Sequence, residues 1–237
     1  MPIILDSNLD SSLYPLAYLV GEWKGEGAVQ LEENGEEVGR RIEQTVSIQP
    51  SDTKTMTWVM KTWVFDAPPR VPPTAAFENS KEADAAKKAA EEAAAEQAEG
   101  EVVKRLLHEE TGYWRVTGPV NPEQTEAGSP FNIEVVMAHP EGYVEVYLGE
   151  VRGPRVSIGT DYVARTATGT GPGGSVRMFG LVNGNLMWVW DQANGENAVK
   201  TYLSIELKRW GGEAEEAAVE ELLKEKSEAE KEATPGA

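Results

Sequence analysis

Cysteine is absent from this chain of 237 residues. That removes a disulfide framework and every thiolate metal site. Histidine occurs only twice, at His108 and His139. A Ser-His-Asp arrangement or a histidine-rich metal cluster therefore has little to be built from. No run approaches the roughly 20 apolar residues that a membrane-crossing helix needs. The stretch "MPIILDSNLDSS" also lacks the basic region of a secretory leader. A cytoplasmic protein is expected, with no membrane partner. Positive charge is scarce as well: 22 Lys and Arg stand against 40 Asp and Glu, a net charge of −18. Binding to nucleic acid requires a positive surface against the phosphates, so nucleic-acid partners are excluded. The glycine-rich "GTGPGG" (169–174) lacks the following Lys-Ser/Thr and helix of a phosphate loop, and reads as a hairpin link.

The acidity is unevenly placed. Residues 78–101 carry a net charge of −5 and residues 211–237 carry −6. Both segments are rich in Ala, Glu and Lys, which favour helix. "APPRVPP" (67–73) leads into the first as a stiff Pro-rich spacer, and Ser80 is a plausible N-cap. Apart from alanines the first has no apolar stripe; the second has Val219, Leu222 and Leu223. The expected organisation is a domain over 1–210, interrupted at 67–101 by the spacer and an acidic Ala-rich helix, followed by an acidic flexible or helical tail over 211–237.

The remainder alternates. "FNIEVVMA" sets Phe131, Ile133, Val135 and Met137 against Asn132 and Glu134, and "YVEVYLGEV" follows the short turn "HPEG". Further strand-like blocks include "TMTWVMKTWVF", "SVRMFGLV", "NLMWVW" and "TYLSIELKRW", with "NGN" (183–185) as a strong hairpin signal. Short links make neighbours antiparallel. About ten such strands predict an all-β fold, a single antiparallel up-and-down β-barrel. In "GEWKGEG" (21–27), Trp23, Gly25, Gly27 and Val29 share one face; glycines there let the wall bend and leave room inside. "LYPLAYLV" just before has Leu13, Leu16, Leu19 and Val20, enough for a short helix plugging one end. His139, in "AHPEG", reads as an exposed turn residue, and strand carboxylates at alternate positions read as facing water.

These residues carry a resemblance. The chain resembles the nitrobindins, lipocalin-like or fatty-acid-binding-protein-like barrels that hold ferric haem. The pattern Gly-x-Trp-x-Gly-x-Gly is met by Gly21, Trp23, Gly25 and Gly27, and "ETGYWRV", "MAHPEGYVEVYLGEV", "TDYVARTAT" and "GLVNGNLMWVWD" follow in family order. The likeness spans about residues 11–66 and 105–210. In haem-binding members the last strand opens with an iron-ligating histidine followed by Leu-x-x-x-Leu-x-Arg. Here Leu203, Leu207 and Arg209 match, and the histidine position is Tyr202. His108, in "LLHEETG", matches a position where some relatives carry a histidine on the distal side of the haem. Thr170 stands near where a basic residue would pair with a propionate.

A tyrosine can ligate ferric haem, as in catalase, but only after losing a proton whose reference pKa is about 10. The plainer reading is a barrel tyrosine whose ring fills space and whose hydroxyl finds a partner. By alternation Tyr202 shares a face with Ser204, Glu206 and Lys208, opposite Leu203, Ile205 and Leu207. An inward Tyr202 therefore requires a partly polar lumen or a bulge in the strand. Three readings follow. The first is a ferric nitrobindin-like protein without a bound cofactor, lacking the axial histidine and taking a small apolar ligand. The second, which the resemblance implies, is a haem b peroxynitrite isomerase or nitric-oxide-binding protein using Tyr202 or His108. The third is an interaction scaffold presenting the acidic segments. No metal cluster or other enzyme chemistry is legible.

Overall fold

A computed structural model describes residues 9–69, 103–123, 126, 128–193 and 199–211. Nearly all of the expected inserted helix (with its Ser80 cap) and of the acidic tail lies outside the described residues. The described chain is a closed antiparallel barrel of ten strands. They are β1 (Gly21–Glu33), β2 (Glu36–Pro50), β3 (Met56–Phe65), β4 (Lys104–Pro119), β5 (Phe131–His139), β6 (Tyr143–Arg152), β7 (Arg155–Arg165), β8 (Gly174–Val182), β9 (Asn185–Ala193) and β10 (Lys200–Trp210). Each strand pairs with its neighbours in sequence, and β1 closes the wall against β10. The expected architecture is borne out, and "EVVKRLLHEETGYWRV", read as one or two strands, forms the single strand β4. Among the described residues no helix is long and apolar enough to cross a membrane.

Local chemistry accounts for the path. The β8–β9 link places Asn183 at φ 52° and Gly184 at φ 86°. Positive φ at both residues gives a turn whose twist matches a hairpin, and Asn-Gly tolerates it. The alternation in the strands becomes an inner face of Trp58, Trp114, Phe179, Trp188 and Trp190, all fully buried. Their rings interlock: Trp58 lies 5.4 Å from Trp114, and Phe179 lies 5.2 Å from Trp188. Offset and edge contacts of this kind add to the stabilisation from burial alone.

A 3-10 helix (Ser11–Leu19) stoppers one end of the barrel, as expected, with Leu13, Leu16 and Leu19 buried. Asp10 caps it, accepting from the Ser12 backbone N–H at 2.9 Å. Trp23 Nε1 donates to the Leu19 carbonyl at 2.7 Å, and Arg209 donates to the carbonyls of Val20 and Tyr18 at 2.6 and 2.8 Å. The Arg209 guanidinium lies 4.3 Å over the Trp23 ring. The glycines of β1 have a different cause from the one expected. A Cβ at Gly25 would stand 2.0 Å from the Glu206 carbonyl oxygen, and one at Gly27 would stand 2.2 Å from that of Ser204. They permit a close approach of β10 at the closing seam, rather than clearing space in the lumen.

Candidate functional site

Two bulges shape the end of the barrel away from the helical stopper. On β4, Thr62 pairs with His108 but Trp63 pairs with Leu106, so Leu107 is extra. On β10, Thr201 pairs with Asp191 but Leu203 pairs with Trp190, so Tyr202 is extra. A bulge changes which way the following side chains face. Here it lets Tyr202 join the core packing while Leu203 and Ile205 remain buried. This meets the condition stated for an inward Tyr202.

The two bulged segments meet. His108 Nε2 lies 2.5 Å from Tyr202 Oη. Their rings stand 5.5 Å apart at 68°, and Trp190 lies 5.6 Å from His108 and 5.4 Å from Tyr202. Burial pushes the His108 imidazole below its ordinary pKa, outweighing the pull of the Glu110 and Glu141 carboxylates. Burial likewise raises the Tyr202 phenol, with Glu141 adding to the rise and Arg105 opposing it. A protonated phenol therefore donates to a neutral imidazole. Gly21 and Trp23 lie toward the other end of the barrel: Trp23 pairs with Arg209, seven residues along β10 from Tyr202, on the order of 20 Å at strand rise. Thr170 is exposed in the β7–β8 link.

Below the mouth lies a charged cluster that the sequence reading missed. Arg177, on β8, donates to both oxygens of Glu110 at 2.7 and 2.9 Å. It also donates to Tyr147 Oη at 2.9 Å and reaches Glu145 Oε2 at 3.5 Å. Trp58 Nε1 donates to Glu110 at 2.8 Å, and Tyr147 and Ser175 donate to Glu145 at 2.7 and 2.9 Å. The side chains of Arg177, Glu110 and Glu145 are fully buried. Their pairing holds the Glu145 carboxyl down to about 2: burial alone would raise it, but His139, Arg177 and the hydroxyls prevail. Strand carboxylates were expected to face water, and Glu110 and Glu145 do not. Phase was the available signal, since Glu145 alternates with Tyr143 and Tyr147, and Glu110 with Trp114 across Gly112.

His139 is a second correction. It is not an exposed turn residue, because it is the last residue of β5 and pairs with Tyr143 of β6. Its side chain is 1% exposed, its ring stacks on Tyr143 at 4.0 Å, and its Nε2 lies 3.2 Å from Glu145. The proline after it starts the turn one residue later than the expected boundary.

Beside this cluster β5 ends while β4 continues. Pairing of β4 with β5 begins at Thr111, so the β4 segment below it has no β5 partner. A cleft of about 390 Å³ lies there, lined by Val59, Met60, Glu110, Ala138, His139 and Pro140 among others. A larger cleft of about 890 Å³ lies on the outer wall among Asn132, Glu134, Glu150, Arg152 and Arg155, away from the His108–Tyr202 pair.

Residues 12–209 match the family described as the THAP4-like, heme-binding beta-barrel domain. The chain belongs to that family. A "Ferric nitrobindin-like protein" of Kineococcus radiotolerans is 32% identical over 212 residues, spanning 88% of this chain and 98% of that relative. A "Peroxynitrite isomerase" of Paenarthrobacter aurescens is 28% identical over 233 residues, spanning 88% and 99%. The solved structure of Rv2717c from M. tuberculosis has the same fold, with TM-score 0.55 at 18% identity, covering 86% of this chain and 100% of that one. The nitrobindin resemblance read from the sequence is thus borne out. Within this nitrobindin-type barrel, Tyr202 and His108 are engaged with each other.

Proposed function

We propose that this chain is a nitrobindin-family barrel that does not hold haem iron and instead takes a small, mostly apolar molecule at its mouth and wall cleft. The observation that carries this is the His108–Tyr202 hydrogen bond. It pairs the phenol that stands where haem-binding relatives carry their ligating histidine with His108, so each group is already held by a protein partner. The raised phenol adds to it, because a tyrosine ligand must ionise, and burial of Tyr202 outweighs the opposing pull of Arg105. A protonated phenol already hydrogen-bonded to an imidazole does not fit ferric haem as a ligand. The cleft that opens beside Glu110 and His139 exceeds the roughly 300 Å³ that small-molecule sites begin at.

Ferric haem titration followed at the Soret band tests the reading. The expected result is no saturable binding by the unaltered protein, and a gain in affinity in Tyr202→His. Saturable one-to-one binding with a tyrosinate spectrum, lost in Tyr202→Phe, would overturn it. The activity named for the peroxynitrite isomerase relatives would then become the leading reading for this chain.

A further inference from the structure

The inference here rests on Tyr202 being free of iron, as proposed above. We propose that Tyr202 and His108 form a redox-active pair that gives one electron to small oxyl radicals reaching the barrel mouth. A phenol that keeps its proton is a poor one-electron donor, because removing only the electron leaves a strongly acidic cation. Oxidation becomes favourable when the proton leaves with the electron, and that requires a base already in hydrogen-bond contact. His108 Nε2 is that base at 2.5 Å. In the step, the Tyr202 O–H bond breaks, an N–H bond forms at His108 Nε2, and the electron passes to the oxyl radical. The products are a neutral tyrosyl radical, an imidazolium and the reduced oxyl anion, so charge and electrons balance.

The surroundings select this residue. Glu110 and Glu141 favour the imidazolium that the step creates, although burial keeps His108 neutral at rest. Trp190 is the competing donor in contact with Tyr202, but the Arg177 guanidinium lies 4.1 Å over its ring. A fixed cation there opposes a positive hole on the indole, so the hole settles on Tyr202. Tyr147 also has a base beside it, yet that base is the weakly basic Glu145, and Arg177 donates into the phenol oxygen at 2.9 Å. Positive charge at that oxygen disfavours removing an electron. Among the described residues no guanidinium hydrogen-bonds to Tyr202 Oη, Arg105 acting on it through charge alone, and Tyr202 sits at the mouth rather than in the sealed interior.

Flash oxidation by photogenerated trivalent ruthenium tris-bipyridine tests the pair in the full chain. The exposed tyrosines Tyr14, Tyr113 and Tyr162 are replaced by Phe as a common background. The expected product is a tyrosyl radical, seen by electron paramagnetic resonance and lost on adding Tyr202→Phe. His108→Asn slows its formation about tenfold or more, the change produced by each 1.36 kcal/mol added to a barrier. Two readouts on the background protein itself do not depend on a folded His108 variant. The rate falls in deuterated water, and it is flat through neutral pH but drops in acid once His108 takes a proton. The groups facing the pair are Arg105 and Glu110 on β4, His139 on β5, Glu141 in the β5–β6 turn, and Arg177 on β8. A tryptophan radical, an unchanged rate in folded His108→Asn, or no isotope effect would overturn the proposal. A Soret band before the flash would instead report failure of the iron-free reading, separately.

Discussion

At Gly27 a single added carbon would meet the Ser204 carbonyl oxygen at 2.2 Å, and the obstacle is backbone rather than a side chain that can swing away. Gly27→Ala is therefore expected to destabilise the barrel by about 2–3 kcal/mol, as overpacking does, read as a lower urea midpoint with an unchanged slope. A null effect would show that the β1–β10 seam can relax. The same residue shows how far sequence reasoning reached. The Gly-x-Trp-x-Gly-x-Gly spacing announced a special strand, but its reason lies in the opposing strand, which no local pattern displays. Tyr202 was placed by counting back from Leu203, Leu207 and Arg209, and alternation correctly stated that an inward ring needs a bulge. His139 was misread because a turn motif was given more weight than the inner phase of β5. Glu110, Glu145 and Arg177 were missed because buried charges look like solvated ones until their partners, 32 to 67 residues apart, are brought together.

Among the elements, β4, β6 and β8 are tied through the barrel interior by Glu110, Glu145 and Arg177. Glu145 titrates at about 2 in the fold against an ordinary value of 4.5. A depressed carboxyl stabilises the fold above its unfolded pKa and loses that contribution as pH falls through the folded one. Stability is thus expected to fall as pH drops from 4.5 toward 2, measured by urea denaturation at a series of pH values. Arg177→Met takes the bidentate guanidinium from buried Glu110, leaving it the Trp58 hydrogen bond, and is expected to cost about 3–5 kcal/mol at pH 7. Its profile should also reverse in slope: with the guanidinium gone, burial raises the carboxylates, so the variant regains stability on mild acidification. A profile parallel to that of the unaltered protein would mean the cluster does not govern acid stability. Element existence was well marked by alternation and by Asn183-Gly184. The bulges were not, because each is one residue of slip visible only against the neighbouring strand.

For the whole molecule, the region between β3 and β4 has its two stems pinned together. Asp66 N–H donates to the Val103 carbonyl at 3.2 Å, Arg41 N–H to that of Ala67 at 2.9 Å, and the Lys104 ammonium pairs with Glu43 at 2.5 Å. We infer that the acidic segments are separable from the barrel, as the charge distribution along the chain suggested. Deleting 74–101 and 211–237 together should leave the unfolding midpoint within about 0.5 kcal/mol of the full chain, the range of surface changes, by thermal or urea denaturation. A large loss would show that these segments pack on the wall. The same closed wall bears on how the chain is made. Because the first strand is zipped to the tenth, any partly folded chain in which β1 to β9 have paired presents two raw edges until β10 docks. The interval before closure is therefore when this protein is most exposed to pairing with a stranger, and the moment when a chaperone would matter most.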